Sequence, residues 1–287
     1  MCFCMSKEIK RVGIVGAGFT GKQIAAQTAL NDFVVDVYDI DPKVLEDAEK
    51  YISGVLKRKH LMDSIQNVSY YSDLENALKD VDLVVEAVPE NLELKKRIFS
   101  QIDNIAPAHT IIGTNSSSYP VSKIESAVKR KDKILNLHFY PPIPTRSMVD
   151  IMRGSETSDE TFEIGKKWIE DIKCEPLVVK KECLGFVFNR IWHAVKKECL
   201  KIWDGGYADI ETVDTAWKIF TGMKMGPFTM MDGIGLDVAY AVEMSYYEES
   251  GDPNDKPPDA LKERVENGDL GMKTGKGFYT FRRRRKK

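Results

Sequence analysis

Four histidines, His60, His109, His138 and His193, are the side chains best suited to exchange a proton near neutral pH. His60 lies in a charged run and His109 in a loop before an apolar segment, so both read as surface residues. His193 falls within the segment from Phe186 to Trp203, whose apolar face makes it read first as a satisfied core histidine. His138 directly follows Ile134–Leu137, a short apolar strand. Ligands of open α/β sheets bind outside the carboxyl ends of the strands, which makes His138 the leading candidate for a general base. The chemistry that suits it is removal of a hydroxyl proton while hydride leaves the same carbon, a reaction that also needs a hydride acceptor.

A site for that acceptor is legible near the N-terminus. Gly16-Ala17-Gly18-Phe19-Thr20-Gly21 follows the strand Val12–Val15 and opens a helix, the context in which the G-x-G-x-x-G spacing binds a dinucleotide. Gly16 is expected to make the tight turn, Gly18 to let the pyrophosphate approach the backbone, and Gly21 to pack helix closely on strand. The helix N-terminus, with Phe19 and Thr20, then presents N–H groups to the phosphates. Asp39, about 23 residues after Gly16, ends the second strand, where a carboxylate accepts hydrogen bonds from the ribose hydroxyls. That carboxylate would repel the 2′-phosphate of NADP, and Lys57 and Arg58 lie too far along to compensate, so NAD is the expected cofactor.

Short β-branched runs must position these groups. Val12–Val15, Val34–Tyr38, Val68–Tyr71, Leu83–Val85, Thr110–Ile112, Ile134–Leu137, Met148–Ile151 and Leu177–Val179 alternate with longer amphipathic segments, the pattern of a parallel sheet covered by helices. Gly21 to Asn31 reads as the first crossover helix, and Pro42 opens another behind Asp41. After Lys181 the strand signal stops. Helices are expected from Phe186 to Trp203, ended by Gly205-Gly206, from Ile210 to Phe220 behind Asp209, and from Gly235 to Tyr247. The expected fold is α/β: a Rossmann-type doubly wound sheet over residues 1–181, then an all-α domain over 182–287 for substrate and dimer contacts, with a loop from Asp252 to Pro258.

Four stretches carry a resemblance: Thr114-Asn115-Ser116-Ser117-Ser118, His138-Phe139-Tyr140-Pro141-Pro142-Ile143-Pro144, Gly185-Phe186-Val187-Phe188-Asn189-Arg190 and Lys273-Thr274-Gly275-Lys276-Gly277-Phe278-Tyr279. In this order, from about Arg11 to Phe281, the chain resembles the 3-hydroxyacyl-CoA dehydrogenase family. The resemblance implies an NAD-dependent dehydrogenase that forms a homodimer, with His138 as base and Ser117 and Asn189 holding the substrate's oxygen. It also implies Glu90, Lys95, Asn115 and Lys273 near the cofactor. Ser116 competes with Ser117, because a serine cluster after a strand often caps the next turn.

Three departures stand against the family pattern. The glutamate usual twelve residues after the histidine is here Asp150, one carbon–carbon bond shorter, so either its strand sits closer or the dyad is looser. The usual asparagine three residues after the histidine is Pro141. A helical hairpin that helps bind coenzyme A is shortened, with about 46 residues between Asp39 and Glu86, although Lys57 and Arg58 could still meet CoA phosphates. On the resemblance, the substrate is nevertheless expected to be a short 3-hydroxyacyl-CoA. The alternatives are a free β-diketone, β-keto ester or hydroxy sugar acid, as for relatives with the same motifs, or a non-catalytic dinucleotide-binding role, against which Ser117, His138 and Asn189 stand intact.

Bulk properties narrow the classes. With 43% hydrophobic and 30% charged residues and a net charge of −2, the chain offers no general field for nucleic acid or an anionic membrane. The six basic residues Arg282 to Lys287 read as a solvated tail. Cys2, Cys4, Cys174, Cys183 and Cys199 show neither a disulfide framework nor a metal spacing, so no metal and a reducing cytoplasm are expected. No apolar run approaches the roughly 18 residues of a membrane span.

Overall fold

A computed structural model describes residues 8–281, so the basic run Arg282 to Lys287 and the cysteines Cys2 and Cys4 lie outside the described residues. The chain divides into two compact units, the first ending at Val187 and the second beginning at Phe188. The break falls later than the expected Lys181, because Phe186 and Val187 pack against Met152 and Val179 and so belong to the sheet.

All eight expected strands form: β1 (Arg11–Val15), β2 (Val34–Tyr38), β3 (Val68–Tyr71), β4 (Leu83–Glu86), β5 (Ile111–Thr114), β6 (Ile134–Phe139), β7 (Met148–Arg153) and β8 (Glu175–Val179). They make one sheet in the order β3-β2-β1-β4-β5-β6-β7-β8. The first six strands are parallel, and their order reverses direction between β1 and β4, the switch point at which doubly wound sheets bind ligands. The sheet is mixed rather than purely parallel, because β7 runs antiparallel to β6 and β8 follows β7. Apolar runs in the sequence show that both faces are covered but carry no sign of strand direction.

Side-chain alternation sends successive residues to opposite cores. Ile14, Val85 and Ile111 pack on one face with Ile24 of helix α1 (Gly21–Ala29), Ile52 of α2 (Pro42–Arg58) and Trp168, whereas Val15, Val84 and Ile112 pack on the other with Leu78, Phe99 and Ile102. Leu78 belongs to the short α3 (Leu74–Leu78), Phe99 and Ile102 to α4 (Leu92–Ile105), and Trp168 to α5 (Asp159–Asp171). Asp41 caps α2 by accepting from the Lys43 N–H at 2.9 Å, with Pro42 at the first helical position, a cap of about 0.5–2 kcal/mol. This helix ends at Arg58 and only a short 3₁₀ turn, Asp63–Asn67, stands between it and β3, so one helix and no helical hairpin fills that crossover.

The second unit is all-helical. The three expected helices appear as α6 (Phe188–Asp204), α7 (Ile210–Thr221) and, after an intervening helix, α9 (Leu236–Ser250). That intervening helix, α8 (Pro227–Ile234), and a last one, α10 (Asp259–Glu266), were not expected. Each spans eight residues, too few to show a period, and each begins at a proline or directly after one, which in the sequence reads as a break. The Lys273–Tyr279 motif forms a turn around a buried carboxylate: Asp232 Oδ1 and Oδ2 accept from the Phe278 and Tyr279 N–H groups, both at 2.8 Å. A Cβ on Gly277 would lie 2.0 Å from Asp232 Oδ1, so this glycine is required by close approach. Among the described residues no helix is long and apolar enough to cross a membrane.

Candidate active site

The three glycines after β1 meet three different demands. Gly16 sits at φ +100°, and its N–H donates to the Tyr38 carbonyl of β2 at 2.8 Å. A side chain there would strike the Ala87 carbonyl at 2.7 Å, so the turn is both left-handed and tightly packed. At Gly21 a Cβ would lie 1.8 Å from the Gly16 carbonyl oxygen, closing the distance between helix and turn. At Gly18 a Cβ would meet nothing within 4 Å. That open space is the cradle in which a pyrophosphate can reach the backbone. No side chain caps the start of α1 and no acidic residue occupies its first turn, so the partial positive charge there is not neutralised.

Asp39 finishes the cradle from β2. Its Oδ2 accepts from the Ala17 N–H at 2.8 Å and its Oδ1 from the Asp41 N–H at 3.0 Å, which ties the glycine turn to the second strand. A carboxylate has further lone pairs, so ribose hydroxyls can still bind it. A cavity of about 970 Å³ opens here, large for the roughly 300–1,000 Å³ of ligand sites. Its wall includes Gly16, Gly18, Phe19, Thr20 and Asp39 at one end and Glu90, Asn115, Ser117 and His138 at the other. These residues fit a dinucleotide.

Ion pairs behind the wall fix the loop after β4. Lys95 of α4 is fully buried and donates to Glu86 Oε1 at 2.8 Å while lying 3.2 Å from Glu90 Oε2. Glu86 also accepts from the Val88 N–H at 2.7 Å and from the Thr114 hydroxyl at 2.7 Å. Removing one partner of such a buried pair costs about 3–5 kcal/mol, so Lys95 reads as a structural clamp. Burial pushes the Glu90 carboxyl upward, but Lys95 and hydrogen bonds from Ser116 and the Ser118 N–H outweigh it and hold Glu90 below the usual range. Ser116, the competitor of Ser117, is buried and spends its hydroxyl on Glu90 at 2.5 Å and on the Tyr119 N–H at 2.8 Å. Ser117 is exposed in the cavity wall.

His138 lies inside β6 rather than just beyond it, because antiparallel pairing with β7 extends the strand to Phe139. In that register His138 stands directly opposite Asp150, and such partners have Cβ atoms only about 4.5–5.5 Å apart. The shorter acid therefore reaches: His138 Nδ1 and Asp150 Oδ2 are 3.2 Å apart. With Nδ1–H given to the carboxylate, Nε2 of the neutral ring keeps its lone pair for a proton. The Tyr140 hydroxyl donates to the same Oδ2, and Phe186 lies against the imidazole with ring centres 5.1 Å apart. His138 is 5% exposed and Asp150 1%, so the dyad is screened from bulk water yet touches the cavity.

The remaining expected residues are placed elsewhere. Asn115 ties β5 to β6 by accepting from the Phe139 N–H at 2.9 Å. Lys57 and Arg58 are exposed on the last turn of α2 and do not line the cavity. Asn189 stands in the first turn of α6 in the second unit, where Lys273 pairs with Asp237 at 2.5 Å. His193 is buried there against Glu243, Nδ1 to Oε2 at 2.7 Å, and stacks on Tyr246, which is the satisfied core histidine expected from its helix. His109 pairs with Asp82 at 3.2 Å, and His60 is exposed. Sequence reasoning missed the α4 face that walls the cavity, Leu94, Arg97, Ile98 and Gln101. Their i, i+3, i+4, i+7 spacing was the available signal, but it is also that of any amphipathic helix.

The chain is similar to known proteins over both of its parts. The 3-hydroxyacyl-CoA dehydrogenase NAD binding domain matches residues 11–183 and the C-terminal domain of the same family residues 185–281. Mitochondrial hydroxyacyl-coenzyme A dehydrogenase of Rattus norvegicus is 31% identical, over 96% of this chain and 92% of that protein. The crystal structure of (S)-3-hydroxybutyryl-CoA dehydrogenase from Ralstonia eutropha is 32% identical with a TM-score of 0.90, covering 96% of this chain and all (100%) of the other. A diketoreductase described as acting on dicarbonyl compounds is 33% identical with a TM-score of 0.86 at the same coverage, 96% and 100%.

The glycine geometry predicts that two conservative changes separate. Gly21→Ala should lower the thermal midpoint by several degrees, as expected for about 1–3 kcal/mol of overpacking. Gly18→Ala should leave the midpoint of the free protein nearly unchanged while weakening NADH binding at least tenfold. Calorimetry and a fluorescence titration of NADH read the two effects, and equal behaviour of both variants would contradict the division of roles.

Proposed function

Because the chain belongs to the 3-hydroxyacyl-CoA dehydrogenase family, we propose that it is an NAD-dependent oxidoreductase that interconverts a short-chain 3-hydroxyacyl-CoA and the corresponding 3-oxoacyl-CoA. The observation that carries this reading is one cavity that joins the glycine turn and Asp39 to Ser117 and His138, with Asp150 behind the histidine. Bound NAD supplies the hydride acceptor. His138 takes the hydroxyl proton at Nε2, and returns it in the reverse direction, while Asp150 stabilises the imidazolium. Ser117 and Asn189 would hold the oxygen as it changes from hydroxyl to carbonyl, without adding charge. Phe19 and Thr20 with the α1 N-terminus meet the pyrophosphate, and Asp39 meets the ribose. Glu90, Lys95, Asn115 and Lys273 complete the cofactor site in this reading, Lys95 by holding Glu90 in place.

One observation favours a second reading with the same chemistry on a free β-dicarbonyl. Between Asp39 and Glu86, where the family resemblance implies a long CoA-binding helical hairpin, stand α2, a 3₁₀ turn, β3 and the five-residue α3. In the CoA reading, Lys57 and Arg58 at the end of α2 meet the nucleotide phosphates. The exposed apolar residues Ile219 (79%) and Phe220 (92%) at the end of α7 support a homodimer, since burying such a pair on a second copy contributes about 1.5–3 kcal/mol for each large side chain.

NADH consumption should be measured with acetoacetyl-CoA and with a short free β-diketone. The thioester should be preferred, and Lys57→Ala with Arg58→Ala should raise its KM about tenfold. A diketone turned over as efficiently, with a KM for the thioester indifferent to both changes, would select the second reading. NADPH should bind at least about tenfold more weakly than NADH, and equal affinity would contradict the role of Asp39. Sedimentation equilibrium should give twice the 32.5 kDa chain mass, whereas a single-chain mass at micromolar concentration would rule out a stable dimer.

A further inference from the structure

The acid behind His138 is held by one oxygen only. Asp150 Oδ2 faces two donors, His138 Nδ1 at 3.2 Å and the Tyr140 hydroxyl, whereas Oδ1 is buried without a hydrogen-bond partner among the described residues. Tyr140 is 5% exposed and does not line the cavity, so it has no place against a substrate there. Its ring meets the imidazole edge-on, with centroids 4.6 Å apart and planes at 76°. Any buried tyrosine hydroxyl needs a hydrogen-bond partner. What distinguishes this one is that it has taken the oxygen His138 uses.

We propose that Tyr140 is the positioning residue that makes an aspartate sufficient at position 150: its hydroxyl fixes the carboxylate so that Oδ2 faces His138 Nδ1. A carboxylate on one methylene can rotate about two torsions, and a single 3.2 Å contact is a weak restraint on both. The second donor supplies the restraint, and the edge-on ring holds the imidazole plane at the same time. The proposal rests on the reading of His138 as the base.

Tyr140→Phe removes one oxygen atom and keeps the ring, so the fold and the NADH site should survive. Turnover should fall about tenfold with KM for NADH and for the thioester within about twofold, the split expected when proton transfer alone is disturbed. The downfield proton resonance of a histidine Nδ1–H bonded to a carboxylate should be present in the unaltered protein and weakened or lost in the variant. In Tyr140→Phe with Asp150→Glu, the longer acid reaches the imidazole unaided, and kcat should return to within about threefold of the starting value. An unchanged resonance with unchanged kcat overturns the positioning role and leaves His138 untouched. Loss of the resonance with undiminished kcat overturns it together with the reading of His138 as base. A tenfold loss that glutamate does not repair shows that the hydroxyl acts by another route, and also overturns the proposal.

Discussion

Antiparallel pairing of β6 with β7 is the constraint on which the site depends. Six parallel strands bring loop residues to one edge of the sheet, but a parallel neighbour would not set an acid opposite His138 in this way. Reversal at β7 does so, because the register pairs His138 with Asp150 and places both side chains on one face. The strand spacing brings even an aspartate within reach of the imidazole. That is why one fewer carbon–carbon bond of reach at position 150 still leaves a contact of 3.2 Å. Tyr140, two residues after His138, is placed by the same strand end, so His138, Asp150 and the second donor share one local scaffold.

The cofactor end is organised by backbone rather than by side chains. Gly16, Gly18 and Gly21 clear space for a turn, a ligand and a helix in that order, and Asp39 binds the turn from the neighbouring strand. Charge is handled differently at the two ends of the cavity. Near the turn the helix N-terminus is left open, which favours phosphate. Near Glu90 the carboxylates are already matched by Lys95 and hydroxyls, which tie the loop after β4 to α4 and to the Ser116 turn. Groups that are already paired in the free protein lower the ordering cost of binding.

Much of this was legible in the sequence because it rests on local signals. The eight strands are β-branched runs of four to six residues, and the glycine fingerprint with Asp39 depends only on spacing along the chain. His138 could be picked out because three of the four histidines had ordinary explanations, and His193 indeed has one in Glu243. What was not legible is set by tertiary pairing. Nothing in Met148–Ile151 announces that its strand runs backwards, so the closeness of Asp150 could not be settled. Tyr140 reads as one more aromatic in an apolar stretch until its hydroxyl is seen on Asp150. The helices α8 and α10 were hidden by the prolines at their starts, and the spacing of the Lys273–Tyr279 signature gave no hint that Gly271 and Gly277 make room for Asp232.

The central claim is that His138 moves a proton and does little else. The most direct measurement is single-turnover oxidation of NADH by His138→Gln with acetoacetyl-CoA, beside a titration of NADH binding to the same variant. Glutamine keeps much of the volume and a hydrogen bond to Asp150 but can neither take up a proton nor deliver one to the carbonyl oxygen. Turnover should fall by roughly 10²–10⁴ while NADH affinity stays within about twofold. Near-normal turnover would contradict the account, since the proton would then reach the substrate oxygen by a route that does not pass through the β6–β7 pair.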